Sequence, residues 1–527
     1  MNPGRVFRFG ILLAAGLLLA AGCLKVGPDF TTPEASVAPQ WLETGDQRVR
    51  PGSEEYQDWW QAFNDPAMTR LIHAAYQDNL DLRLAGVRVL EARAQLGIAI
   101  GEAYPQTQQA LGQVIKNRLS EKAATAGPGG VSNYWQSSLG LTASWEIDFW
   151  GKFRRAIESA DASLLAAAAS YDSTLVSLTG EVGAAYITLR TLEKRLDIAR
   201  RNVDIQKESL EIATARFEGG ATSERDVQQA KTVLASTEAT IPTLESLIRQ
   251  SKNYLCVLMG KAPADLSEML GKSREIPTPP KQVAVGIPAE LLRRRPDIQA
   301  AEWRAAAQCA QIGVAKANLY PAFSLVGTFG FLATDVGNFA LADMFQWRSR
   351  AGSFGPSVQW NILNYGQITN LVRVQDARFQ ELLLAYQQTV LKAKQEVEDA
   401  LIGFLKSQER AEFLVQSTTA AQRSVDLAVL QYREGITDFT TVLTAEQALL
   451  KQQDDLASTL GDIARQLVGV YRSLGGGWQL REGKDFVPEA TKAAMAARTK
   501  WGRLLEPAAH TPPPPDQPKP PIRLPDW

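Results

Sequence analysis

The sequence predicts a mainly α-helical chain that also carries membrane β-barrel strands, with one unit of two strands and long coiled helices used twice. Three observations predict it: a self-similarity offset by about 215 residues, short stretches of period two, and long proline-free heptad runs.

The amino terminus comes first. Arg5 and Arg8 precede the apolar run from Phe9 to Leu19, and small Ala20-Ala21-Gly22 lead into Cys23, the order of an export signal over residues 1–22. The run is too short to cross a bilayer core of roughly 30 Å as a helix. Small residues before a cysteine resemble a lipobox, in which Cys23 takes a diacylglycerol and, as the new terminus, an N-acyl chain. Leu19 lies one place further back than the usual leucine, and a plain secretory signal is the alternative. Leu24 after the cysteine, in place of an Asp, favours the outer membrane.

Composition narrows the function classes. Formal charge is −1, with 56 Lys and Arg against 57 Asp and Glu, so no basic face for nucleic acid is expected. His73 and His510 are the two histidines, and no metal-ligand spacing recurs. A nucleophile elbow, a phosphate loop and a His-centred constellation are all missing, so the chain does not read as an enzyme and no cofactor beyond the lipid is expected. Cys256 and Cys309 fall in helical patterns and suit buried free thiols, with a disulfide as the alternative.

Self-comparison divides the chain. Asp81-Leu82, Arg88, Gln95-Leu96-Gly97 and Tyr104-Pro105 return 216 positions later as Asp297-Ile298, Arg304, Gln311-Ile312-Gly313 and Tyr320-Pro321. Trp145, Gly151, Gly220 and Gly260 return 215 positions later as Trp360, Gly366, Gly435 and Gly475. The lipidated extension thus covers 23–64, the first repeat 65–260, a Pro-rich connector 261–287, the second repeat 288–475, and a C-terminal extension 476–527.

Within a repeat, Ala67 to Glu102 reads as one helix closed by Tyr104-Pro105. Leu139, Leu141, Ala143, Trp145 and Ile147 then alternate with polar or small residues, as do Phe354, Val358, Trp360 and Ile362 in the second copy. Such strands suit a membrane barrel, with Trp135, Trp145, Trp150 and Trp360 as girdle candidates; a half-buried soluble sheet is the alternative. From Lys152 to Phe217, and from Gln367 to Tyr432, apolar residues recur at threes and fours without proline, predicting helices of roughly 100 Å. Glycine turns end both, and helices from Glu224 to Met259 and Phe439 to Leu474 run back. Four strands cannot close a barrel, so the chain must assemble with its own copies into a tube.

The motifs Trp59-Trp60 to Asp65-Pro66, Asn79-Leu80-Asp81-Leu82, Leu291 to Asp297 and Gln395 to Leu401, with Gly27-Pro28-Asp29-Phe30, resemble the TolC-type outer-membrane efflux proteins, OprM/NodT lipoprotein branch. The resemblance covers Cys23 to about Trp478. It implies a homotrimer with a twelve-stranded barrel in outer-membrane lipid and an α-helical periplasmic tunnel. It also implies a periplasmic adaptor and an inner-membrane pump, of the resistance-nodulation-division type, as partners. The chain would be a passive, gated exit for small molecules.

By the same resemblance, Asp226 and Tyr432 match positions that hold the tunnel closed at its periplasmic tips. Gly219, Gly220, Glu434 and Gly435 form the tips that meet the adaptor. Thr440, Thr441 and Thr444 stand where relatives ring the constriction with acidic or leucine residues, and Thr437 stands where TolC has arginine. A threonine ring implies weaker cation selectivity, with Asp438 and Glu446 as nearby charge. Asp226 also reads simply as a helix start. Phe486 to Leu505 is expected to be a short surface helix, and 512–521 an extended solvated tail. Two other readings compete: a duct for protein secretion, and a coiled-coil envelope scaffold without a pore. Only 6 Met and 2 His argue against a dedicated copper or silver path.

Overall fold

The computed structural model describes residues 25–34, 38–52, 56–120, 131, 133–286, 288, 294–337 and 340–506. The export signal, Cys23, the segment 291–293 and the tail 512–521 lie outside the described residues.

In chain order the main elements, short helical turns aside, are β1 (Val49–Pro51), α1 (Pro66–Asp78), α2 (Leu80–Gly101), β2 (Thr107–Arg118), β3 (Asn133–Ile147), α3 (Lys152–Glu218) and α4 (Glu224–Leu258). Then come β4 (Val283–Val285), α5 (Pro296–Ala317), β5 (Ala322–Thr334), β6 (Arg350–Gln359), α6 (Gln367–Arg433), α7 (Phe439–Ser473) and α8 (Glu489–Arg498). The duplication holds to the residue: α3 and α6 each have 67 residues, and α4 and α7 each have 35. One hydrogen bond repeats as well, since Trp145 donates its indole N–H to Ala103 O at 3.2 Å and Trp360 donates to Leu319 O at 3.0 Å.

The helix expected over Ala67 to Glu102 is two helices. Asn79 interrupts it with extended backbone (ψ 129°), and its side chain caps α2 by accepting from Leu82 N while donating to Leu258 O. An asparagine able to satisfy the first free N–H groups stabilises a new start as well as it ends the old helix.

Strands β2, β3, β5 and β6 form one antiparallel sheet in that order, leaving β2 and β6 as open edges. Register places Leu139 against Phe331, Leu141 against Phe329 and Trp145 against Leu325 on one face. The opposite face pairs Gly140 with Gly330 and Thr142 with Thr328. The apolar face is bare: Leu141 is 61% exposed and Phe354 83%. Strands that would cost stability in water in this way suit lipid on one face and a polar lumen on the other.

Below the sheet the helices lie side by side in the order α2, α3, α5, α6, and α4 and α7 return along α3 and α6. No described helix is long and apolar enough to cross a membrane. The main core gathers α1, α2, the middle of α3 and α7, and the pair Trp59 and Trp60. Cys256 and Cys309 are buried and free, so the disulfide alternative falls. Within 486–505 the expected short surface helix is the mostly exposed Glu489–Arg498, followed by a 3-10 turn at Gly502–Leu505, but its flanks are tied down: Phe486 and Val487 are buried, and buried Arg93 donates to Leu504 O and Glu506 O. With Arg481 paired to Asp172 at 2.6 and 2.9 Å, this segment is a strap across α2 and α3.

Candidate functional site: the hairpin tips

Each long helix ends where a glycine takes a left-handed conformation, Gly220 at φ 71° and Gly435 at φ 74°, a region open to glycine at little cost. The tips hold a small cluster of their own around Ala213, Val227, Val425, Tyr432, Phe439 and Leu449. The heptad seam of α3 stops at Ala213; Phe217, expected on it, is 41% exposed.

The two tips are tied within one chain. Arg216, near the end of α3, donates to the backbone carbonyls of Tyr432 and Arg433 and stacks its guanidinium 4.7 Å from the Tyr432 ring. Arg433 pairs with Glu208 across the same gap. Sequence reasoning missed Arg216, which carries no motif.

Asp226 and Tyr432 lie near each other, but no hydrogen bond joins them. Asp226 is 6% exposed, accepts from the Thr222 hydroxyl, and has Arg225 at 3.6 Å. It also occupies the first turn of α4, where a carboxylate suits the helix dipole. Tyr432 is buried and packs its ring 5.0 Å from Phe439; burial raises its hydroxyl pKa. Gly219, Gly220, Glu434 and Gly435 form the exposed turns at this end.

The threonines divide into two pairs. Thr437 donates to Thr441 at 3.1 Å, and Thr441 donates its hydroxyl to Asp438 at 2.8 Å, so these two serve the cap of α7. Thr440 and Thr444 are exposed one turn apart, with the Thr444 hydroxyl bonded back to Thr440 O. Asp438 is exposed, and hydrogen bonds from Thr441 hold its pKa below the usual range.

Glu446, expected as nearby charge, is instead 1% exposed between α3 and α7. Ser209 donates to one of its oxygens, the other has no protein partner, and burial pushes its pKa up to about 7. It heads a buried polar row with Gln206 and Asn202, the last donating to Gln453 at 2.8 Å. Among the described residues no group of His, Cys, Asp and Glu could hold a metal ion.

An open sheet with one lipid-compatible face, continued by paired helices of about 100 Å, defines the chain of an outer-membrane channel. The model of the outer membrane efflux protein family matches residues 71–261 and 287–476, the two repeats, and the chain belongs to that family. It is similar to Nodulation protein T of Rhizobium leguminosarum bv. trifolii, 30% identical over 88% of this chain and 96% of that one. The toluene efflux pump outer membrane protein TtgC of Pseudomonas putida is 30% identical over 90% and 96%. Among solved structures, the outer-membrane channel OprN superposes with a TM-score of 0.79 at 34% identity, covering 86% of this chain and 99% of that one. The outer membrane protein VceC of Vibrio cholerae superposes at 0.71 and 27% identity, covering 80% and 98%. These relatives are efflux channel proteins of the outer membrane, not enzymes, and they need no cofactor. The chain is accordingly an outer-membrane efflux duct protein.

Proposed function

We propose that three copies close a twelve-stranded barrel in the outer membrane and continue it as a helical tunnel that passively conducts small molecules out of the periplasm. One observation carries the reading. The open strand β2 and the flank helix α2 share one side of the chain, and the open strand β6 and the flank helix α6 share the other. Joining one side to the other repeats both sheet and helix layer at once, and a rotation that closes leaves no edge facing lipid. Four strands per copy make twelve in a trimer, wide enough for a pore.

The gate in this reading lies at the tips. Arg216 and Tyr432 hold the hairpins together, Asp226 lies beside them, and Thr440 and Thr444 line the constriction. Three exposed Asp438 carboxylates beside them would make the ring mildly acidic rather than neutral. Gly219, Gly220, Glu434 and Gly435 meet a periplasmic adaptor, which links the duct to an inner-membrane pump of the resistance-nodulation-division type. Cys23 carries the acyl chains. Lys25, two residues after Cys23, packs on the upper tunnel, where Val26 N donates to Trp150 O at 3.1 Å.

Planar-bilayer conductance tests the reading. Purified protein should give small, trimer-sized steps that grow several-fold in an Asp226→Ala, Arg216→Ala double variant. A folded trimer that conducts no ions would sink the duct. Equal steps from both proteins would remove the gate from these residues.

A further inference from the structure

High in the helical part, a groove of about 520 Å³ runs along α3 between α2 and α5. Its floor is small and polar, with Ser159, Ser163 and Ser170, and its walls carry Arg88 from α2 and Arg304 from α5. No carboxylate lines it. We propose that Arg88 and Arg304 form a cationic collar inside the duct that binds organic anions, carboxylates or sulfonates, in transit. The proposal rests on the tunnel reading above.

The direction of the groove follows from helix geometry. On α5, Glu302, Cys309 and Gly313 hold the N-terminal segment: Thr32 donates to Glu302 at 2.8 Å, the Cys309 thiol lies 3.8 Å from Pro28 O, and a Cβ on Gly27 would come 2.5 Å from Gly313 Cα. Arg304, Gln308 and Gln311 lie about half a turn away, at roughly 100° per residue. On α2, likewise, Gly86 and Arg93 meet the C-terminal strap, while Arg88 lies on another face. The anchor segment and the strap clothe the outside of the helical layer, so the arginines face the lumen.

Arg88 and Arg304 are equivalents across the 216-residue offset, and α2 and α5 are equivalent helices flanking α3. Repeat symmetry puts both at one height, and a trimer makes a ring of six. Arg304 donates to Ser170 at 2.9 Å and keeps further N–H groups free, while Arg88 has no partner among the described residues. No carboxylate on the same helices reaches the groove, and Glu91, one turn along α2 from Arg88, makes no ion pair with it. Glu91 accepts from Gln95, Glu181 on α3 accepts from Tyr254, and Asp81 lies two turns from Arg88, about 10 Å along the axis. Guanidinium forks match the two oxygens of a carboxylate or sulfonate, and the neighbouring serines and glutamines add neutral donors. A ring of like charge in a low-dielectric wall concentrates ions of the opposite sign.

Two measurements on the purified full-length protein test this, with naphthalene-1,5-disulfonate as probe. Calorimetric binding in detergent should fall at least tenfold in an Arg88→Gln, Arg304→Gln variant. In planar bilayers the same variant should shift its reversal potential in a KCl gradient toward cation preference and lose block by the probe. An Arg88→Lys, Arg304→Lys variant should keep the reversal potential but bind the probe more weakly. Unchanged binding, or unchanged reversal potential in a conducting channel, overturns the collar. Arginine-dependent binding by a protein that conducts nothing would keep the collar and sink the duct.

Discussion

Replacing Glu446 by Gln removes the one buried carboxyl between α3 and α7 while keeping its shape. The group is 1% exposed and accepts from Ser209 through one oxygen. The residues that share its cluster from α6 are apolar, Val425 and Ala428, and Glu208 and Glu211 on α3 point to solvent. No cation therefore offsets the burial, and the pKa rises from 4.5 to about 7. A carboxyl that holds its proton more tightly in the packed hairpin than in an opened one favours packing at low pH. That contribution is complete below pH 4.5 and is lost as pH rises to about 7. At about 1.4 kcal/mol per unit, it amounts to about 3 to 4 kcal/mol, or roughly three-hundredfold in the opening equilibrium. Hydrogen–deuterium exchange of peptides spanning 202–213 and 442–453, corrected for intrinsic exchange, should show that increase between pH 4.5 and 8. The Glu446→Gln variant should stay flat. A wild-type profile without pH dependence, or one the variant reproduces, would refute the reasoning.

Three other outcomes follow from the packing. Arg216→Ala removes two hydrogen bonds to carbonyls and a guanidinium–ring contact, so exchange at residues 430–436 should rise by the equivalent of about 2 kcal/mol while the upper helices are unaffected. In Gly86→Val, the new Cβ would fall 2.2 Å from Phe486 O, and limited proteolysis should cut the displaced strap between 481 and 506. Asp172→Ala strands the partly buried Arg481 guanidinium and should cost about 3 kcal/mol in thermal stability, against much less for Asp197→Ala, whose exposed pair with Arg201 contributes little.

What the sequence carried about this fold was local. The heptads of α3 and α6 and the alternation in β3 are readable because period follows from backbone geometry alone. The offset between Gly220 and Gly435 or Trp145 and Trp360 needed no structure to find. Asn79 was legible in retrospect: an asparagine two places before Asp81 is a helix-start signal, obscured because apolar spacing continues through it. The strap was not legible, since its partners, Gly86 with Phe486 and Arg93 with Leu504, lie some four hundred residues apart. Glu446 gave a signal that composition hid. It falls at a seam position of α7, with Phe439, Val442, Leu443 and Leu449, where a charge reads as solvent-facing only if the heptad is ignored.

The seat of the N-terminal segment on α5 sets an order of events. Pro28 meets Cys309, 281 residues further along the chain, and Arg155 of the first repeat donates to Val26 O and Gly27 O from the other side. Residues 25–30 can dock only once the second repeat has been exported and folded beside the first. Until then residues 25–30 have only half of their seat; afterwards they are a clasp that fastens the first repeat to the second.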